Sequence, residues 1–485
     1  METPFFEVTH YINGEFVNSP LQFEKLYPAT NQVIGTVAEG KQAEVDRAVS
    51  AAKNAFKTWG KMSASERRPI LRAFAEGIRK NAAELARIET FDVGRAIREN
   101  NIHYIKRIAN NIEYFADFAA LHGSESYPMD SGYINYVLRQ PVGVAVLITP
   151  WNIPMLLSTW KIGPALAFGN TAILKPAEST PIGAWKLAQI AHEAGVPAGV
   201  FNVVQGFGPN SAGAYLTSHP DVRLISFTGE TSTGQAILKA AAGTNMARVS
   251  FELGGKGPNI IFDDADIERA LAISQKAAFV NQGEVCLAGS RILVQRGIYN
   301  EFVERFAAKL TNETVIGDPL DPATTMGALN SREHLERVMG YLEVGGYEGK
   351  LLIGGDQPDL PAPFNEGNFL NPTIITDVVP SCRVCQEEIF GPVVTILPFD
   401  EEDEAIQIAN DVKYGLSAVV QTGNTGRAIR VSNQIDAGTV WVNDWFVRDL
   451  RVPFGGMKAS GVGREGGHYS MEFYTEMKNV CIANQ

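Results

Sequence analysis

Residues 280–291, "VNQGEVCLAGSR", place one cysteine, Cys286, among small residues with amide side chains just before it. A thiol attacks as its thiolate, so its surroundings set its reactivity. Gly283 and Ala288 leave room for backbone and substrate to come close. Attack on a carbonyl creates an oxyanion, which needs donors fixed in advance. Asn152 in "TPWNIP" and the backbone N–H of Cys286 would supply them. The resulting thioester needs a base to activate water, and Glu252 in "FELGG" is placed to be that base. Each residue also has a plainer reading: a buried apolar cysteine, a helix-capping asparagine, an ion-paired carboxylate. A cysteine–histidine arrangement is the obvious rival. The seven histidines (His10, His103, His122, His192, His219, His334, His468) all fall away from the expected strand ends, and most read as surface residues.

These residues need elements to hold them. After a short extended start the chain reads helical over 43–59, 63–90 and 100–120, with apolar residues at helical spacing behind capping residues. From residue 141 the pattern changes to apolar runs separated by helical stretches. The runs 142–150, 170–176, 199–206, 223–229 and 247–255 predict strands buried on both faces. Their alternation with helices predicts a parallel sheet with crossover helices, an α/β fold. Ligands bind beyond the carboxyl ends of such strands. Asn152, Lys175 with Glu178, Gly208, Gly229 with Gly234, and Glu252 stand at those five ends. "GFGPNSAG" is not a G-x-G-x-x-G fingerprint, because its last glycine is displaced. Five polar strand ends together are the stronger sign.

Bulk composition narrows the rest. The chain has 485 residues, enough for two or more domains, with a 45% apolar and 20% charged make-up typical of globular chains. Its net charge of −12 argues against a nucleic-acid partner. No membrane-spanning run and no secretory signal are seen, so a cytoplasmic location is expected. Four cysteines do not make a disulfide framework, and "CRVC" (Cys382, Cys385) lacks the second pair that a zinc site needs; no metal is expected.

The motifs "PWNIP", "LKPAE", "SFTGETSTG", "FELGGKGPN", "NQGEVCLAGSR", "EEIFGPV" and "PFGGMKASGVGREGG" resemble, in this order, those of the NAD(P)-dependent aldehyde dehydrogenase superfamily, from residue 8 to the end. The resemblance implies a Rossmann-type NAD domain (1–125 and 141–252), an α/β catalytic domain (253–453) and a small β oligomerisation flap (126–140 and 467–485). It implies Cys286 as nucleophile, Glu252 as general base, Asn152 as oxyanion donor and Glu465 as a second carboxylate relaying protons. It implies NAD as cofactor, with Lys175 and Glu178 at the adenosine ribose, and Gly208, Gly229 and Glu230 along the adenine–pyrophosphate groove. Glu388 and Phe390 would hold the nicotinamide ribose, while Ile148, Pro150, Trp151, Phe227, Gly234 and Leu253 would line the same groove. Many relatives have serine where this chain has Glu230. A homodimer or homotetramer is expected from the same resemblance.

"WVNDWFVRDLRVPFGG" (441–456) further resembles the 2-aminomuconic and 2-hydroxymuconic semialdehyde dehydrogenases. Their substrates carry a carboxylate remote from the aldehyde. The resemblance assigns its recognition to Arg448 and Arg107, and a guanidinium suits a planar carboxylate. Pairing of Arg448 with Asp449 or Asp444 is the plainer reading. The alternative substrate is a neutral aromatic aldehyde stacked on Trp445 or Phe446. A CoA-acylating enzyme would lack Glu252, and an inactive relative would lack part of the Cys286, Glu252 and Asn152 set.

Overall fold

The computed structural model describes residues 4–483; residues 1–3 and 484–485, at the edges of the expected first domain and flap, lie outside the described residues. Five apolar runs form parallel strands: β1 (Val144–Ile148), β2 (Thr171–Lys175), β3 (Phe201–Val203), β4 (Val222–Thr228) and β5 (Arg248–Glu252). In space they lie in the order β5-β4-β1-β2-β3. From β1 the chain builds outward through β2 and β3, then crosses back to lay β4 and β5 on the other side. The reversal opens a crevice between the ends of β1 and β4, where parallel sheets bind ligands. Asn152 leaves β1 and Gly229 leaves β4, so both stand at that crevice. Gly461–Val462 pairs antiparallel with β5 and brings the C-terminal segment holding Glu465 alongside Glu252.

The second sheet has seven strands, with Pro258–Ile261 paired in parallel to both Arg291–Gln295 and Ser417–Gln421. Cys286 lies on the loop that enters Arg291–Gln295, after the helix Ile267–Phe279. A separate three-stranded sheet joins Thr475–Ala483 to Tyr133–Pro141 and Ser126–Pro128. No helix among the described residues is long and apolar enough to cross a membrane.

The expected helix over 63–90 is two helices, Ala64–Lys80 and Ala82–Val93. A reciprocal cap starts the first: Ser63 Oγ accepts from Glu66 N–H, and the Glu66 carboxylate accepts from Ser63 N–H. Asn81 ends it. Its backbone leaves helical geometry (φ −94°, ψ 17°), and its Nδ2 donates to Gly77 O at 2.8 Å beside its own N–H at 3.2 Å, so side chain and backbone close the last turn together. Two histidines are also not where the sequence suggested. His10 is fully buried in the strand His10–Ile12, and His334 is buried on the helix Arg332–Glu348. The helix Ile102–Leu121, which carries Arg107, packs on the helix Pro154–Ala167 behind Asn152.

Candidate active site

Cys286, Glu252, Glu465, Arg107 and Arg448 all line one cleft of about 820 Å³. The glycines of "ELGGK" explain the close approach. A Cβ at Gly255 would collide with the carbonyl of Cys286, and one at Gly254 with the Glu388 carboxylate. Glu388 in turn accepts from Gly255 N–H at 2.8 Å, so β5, the cysteine loop and the 388–390 loop lock together.

Asn152 is buried, and its Nδ2 donates to Glu284 O at 2.7 Å. An amide nitrogen carries two protons. The first contact fixes the amide, whose neighbour Ile153 lines the cleft. Asn281 Nδ2 completes the arrangement by donating to Asn152 O at 3.0 Å.

The electrostatics are set by burial. The Cys286 thiol is pushed up to about 12, first by burial and then by Glu388 and Glu252. Its own N–H and that of Leu287 oppose this by facing the sulfur. Glu252 is raised well above the carboxylate range by burial and by Glu465, against Lys161 and Arg448. Among the described residues, neither Glu252 oxygen has a hydrogen-bond partner. Glu465 differs: it accepts from Lys161 Nζ at 2.8 Å, from Ser226 Oγ at 3.2 Å and from Trp160 Nε1. The two facing acids thus have opposite surroundings, one bare and one fully bonded. Both Cys286 and Glu252 react when deprotonated, and both are shifted upward. The expected result is a kcat/KM that climbs with pH from 6 to 9, by up to about tenfold per unit while the group lies below its pKa. Alkylation of Cys286 by iodoacetamide, followed over the same range, checks this; a plateau already reached at pH 7 contradicts it.

The two arginines stand without acid partners. Among the described residues neither Arg107 nor Arg448 has a carboxylate within 4.0 Å: Asp449 pairs with Arg451 at 2.6 Å, and Asp444 with Lys276 at 3.7 Å. Arg448 lies 3.8 Å from the Phe454 ring centre and 4.7 Å from that of Trp160, and Arg107 lies 4.8 Å from that of Phe446. Arg448 is lowered to about 10, chiefly by burial, and Arg107 is lowered by burial too.

Trp445 requires a correction. It does not line the cleft; it is buried behind the cysteine loop, where its Nε1 donates to Leu287 O at 3.0 Å. Phe446, turned by a positive φ of 63°, faces the cleft instead.

The residues expected at the cofactor sit around the crevice. Ile148, Pro150 and Trp151 follow one another out of β1, with Ile148 buried. Lys175 is buried at the end of β2, donates to Pro176 O at 2.7 Å and lies 3.6 Å from the half-exposed Glu178 carboxylate. Gly208 lies in an open turn. Gly229 N–H donates to Glu252 O at 3.1 Å, its α-carbon packed on the Phe227 ring, and Gly234 packs on Leu253. Glu230 is exposed at the start of the helix Thr231–Thr244 and lies 3.9 Å from Arg337. Phe390 packs edge-on against Trp151 at 5.2 Å, and its carbonyl meets His334 Nε2 at 2.7 Å. Glu388 is raised to about 7, mainly by burial.

The sequence reading missed Lys161, Trp160, Phe454, Glu284 and His334. Lys161 left a trace, as the sole charged residue of the otherwise apolar helix "PMLLSTWKIGPALA".

The aldehyde dehydrogenase family model matches residues 16–480. The chain belongs to the aldehyde dehydrogenase family. This aldehyde dehydrogenase is 49% identical to a 2-hydroxymuconic semialdehyde dehydrogenase of Pseudomonas sp. (strain CF600), over 98% of this chain and 99% of the relative. It is 44% identical to a 2-aminomuconic semialdehyde dehydrogenase of Bos taurus, over 98% and 97%. A crystal structure of an indole-3-acetaldehyde dehydrogenase complexed with NAD+ superposes with a TM-score of 0.95 at 38% identity, covering 98% of this chain and 96% of that one. As a member of the aldehyde dehydrogenase family, the chain is an oxidoreductase acting on aldehydes.

Proposed function

We propose that this aldehyde dehydrogenase oxidises, with NAD, a semialdehyde that carries a carboxylate remote from the reacting carbonyl, of the muconic type. The observation that carries the reading is the pair of partly buried arginines, Arg107 and Arg448, which line the same cleft as Cys286 and, among the described residues, have no carboxylate within 4.0 Å. A partly buried cation with no carboxylate in direct contact is a deficit that an anionic ligand fills. The relatives named for muconic semialdehydes support it. A semialdehyde and its methyl ester, compared by kcat/KM, test it; equal values would refute it.

Cys286 Sγ adds to the aldehyde carbon, and the developing oxyanion takes hydrogen bonds from Asn152 Nδ2 and Cys286 N–H. Bound NAD supplies the hydride acceptor. The resulting thioester stays on Cys286 until Glu252 takes a proton from water, whose oxygen adds to the acyl carbon; the C–S bond then breaks, releasing the carboxylic acid and returning the Cys286 thiolate. Glu465, bonded to Lys161, Ser226 and Trp160, receives the proton from Glu252 and passes it on.

The crevice fits NAD. Gly229 leaves β4 with no side chain because a Cβ there would meet the Phe227 ring, and the Glu388 carboxylate, held through one oxygen by Gly255 N–H, stands where a ribose hydroxyl would be met. Glu178 projects a half-exposed carboxylate where the adenosine ribose would lie, beside Lys175. A 2′-phosphate there would meet like charge, partly offset by the lysine. NAD is therefore expected to exceed NADP by about ten- to a hundredfold in kcat/KM, with Glu178→Gln narrowing the gap. Equal values for the two cofactors in the unaltered enzyme would contradict the assignment.

The same reading takes residues 1–125 and 141–252 as the NAD-binding unit, 253–453 as the catalytic unit, and 126–140 with 467–485 as a flap for self-association. The flap exposes Tyr127, Met129, Tyr133, Ile134, Met477 and Ile482. A homodimer or homotetramer in the cytoplasm is the expected form, and light scattering measures its mass.

A further inference from the structure

Just before Cys286 the chain takes an uncommon path. Asn281 (φ 53°, ψ 43°) and Gln282 (φ 55°, ψ 24°) both adopt left-handed backbone. Residues with a Cβ seldom do so, and two in succession persist only where the surroundings hold them. The side chains account for part of the hold. Asn281 Nδ2 donates to Asn152 O at 3.0 Å and to Glu284 O at 3.1 Å. Gln282 Nε2 donates to Ala328 O at 3.1 Å and to Glu284 Oε2 at 3.2 Å.

The backbone N–H of Asn281 is held from elsewhere. It donates to Glu99 Oε2 at 3.0 Å, across 182 residues of chain. Glu99 lies between the helices Ala82–Val93 and Ile102–Leu121 and is mostly covered, with its side chain 17% exposed. The same Oε2 accepts from Arg95 Nε at 2.8 Å. A surface ion pair would serve with either oxygen; here both bonds converge on the one that faces Asn281. Arg95 is fixed in turn, with its guanidinium 4.6 Å from the centre of the Tyr104 ring, and Tyr104 donates its hydroxyl proton to Glu89. Tyr104 and Arg107 are one turn apart on the same helix.

We propose that Glu99 is a positioning residue that, through the Asn281 N–H, seats the left-handed Asn281–Gln282 pair and so sets the Cys286 sulfur against Asn152. The chain of contacts from Tyr104 through Arg95 also joins the helix bearing Arg107 to the loop bearing Cys286. This inference rests on the reading of Cys286 as the nucleophile. Glu99 touches neither substrate nor sulfur and acts only through the loop. A sulfur displaced by about 1 Å from its line of attack loses about a hundredfold in rate.

The test is the rate of the first NADH burst, measured by stopped flow at saturating NAD and aldehyde. KM, the Kd for NAD from quenching of tryptophan fluorescence, and Tm are recorded beside it. Glu99→Ala is expected to slow the burst about ten- to a hundredfold, with KM and the NAD Kd within about twofold of the unaltered enzyme. Glu99→Gln keeps an oxygen for the Asn281 N–H and should recover the burst to within about threefold. Should the alanine variant not fold, Glu99→Asp serves: it keeps a charge for Arg95 but withdraws the acceptor, and an intermediate loss is expected. An unchanged burst in the alanine or aspartate variant would overturn the proposal. So would a loss that tracks a fall in Tm and NAD affinity and is not rescued by glutamine. Cys286→Ala is run alongside: turnover in that variant would defeat the nucleophile reading itself, whatever Glu99 does.

Discussion

Cys286→Ala is expected to bind NAD as before and to lose turnover by at least about 10⁴-fold, because no other group in the cleft can form the covalent intermediate. The fold should tolerate the change. Alanine is smaller than cysteine and the position borders open cleft. Glu252→Gln should behave differently. It is close to isosteric and sits where both carboxylate oxygens already lack protein partners. The amide therefore leaves no broken ion pair behind, yet it cannot take a proton from water. One equivalent of NADH should appear in a burst, followed by a steady rate lower by about 10²- to 10⁴-fold. Mass spectrometry of the quenched burst should find the acyl group on Cys286. A Cys286→Ala enzyme that still oxidises aldehyde, or a Glu252→Gln enzyme with a full steady rate and no burst, would require a different nucleophile or base. Glu465, the other carboxylate of the cleft, would be the next base to test.

Much of this arrangement was legible in the chain because burial on both faces writes itself into composition. The run that became β1 is apolar along its whole length, those that became β2 and β4 are mostly apolar, and their ends turn polar where the crevice opens. What stayed hidden depends on contacts far apart in sequence. Asn81 breaks a helix whose apolar spacing continues on both sides, because its side chain bonds back to Gly77. His334 looks like one more helix-surface residue until Phe390 and Trp151 are brought against it. Trp445 and Phe446 are neighbours of similar character. Which of them meets the cleft is decided by a positive φ at Phe446 and by the indole bond to Leu287, neither of which spacing reveals. The partners of Arg448 could not be read either: two aspartates lie within four residues, and only the fold gives them to Arg451 and Lys276.

Truncating those arginines should separate recognition from catalysis. Arg107→Ala is expected to cost an acidic semialdehyde about 1.5–3 kcal/mol, or about ten- to a hundredfold in kcat/KM, and to leave its methyl ester nearly unchanged. Arg448→Ala should cost the acid as much or more, but its effect has two parts. Arg448 opposes the upward shift of Glu252, so removing it pushes that carboxyl higher still and slows deacylation for every substrate. The informative quantity is therefore the acid-to-ester ratio, in which the shared loss cancels. That ratio should fall about ten- to a hundredfold in each variant. In the double variant it should fall by less than the product of the two, since both guanidiniums act on one carboxylate. Raising the pH should restore part of the ester rate in Arg448→Ala, by deprotonating Glu252, without restoring the ratio. If both variants slow acid and ester alike at every pH, the arginines tune the catalytic groups and do not recognise a carboxylate. Phe446, which faces the cleft beneath Arg107, would then be the next side chain to truncate, with a neutral aromatic aldehyde as the substrate.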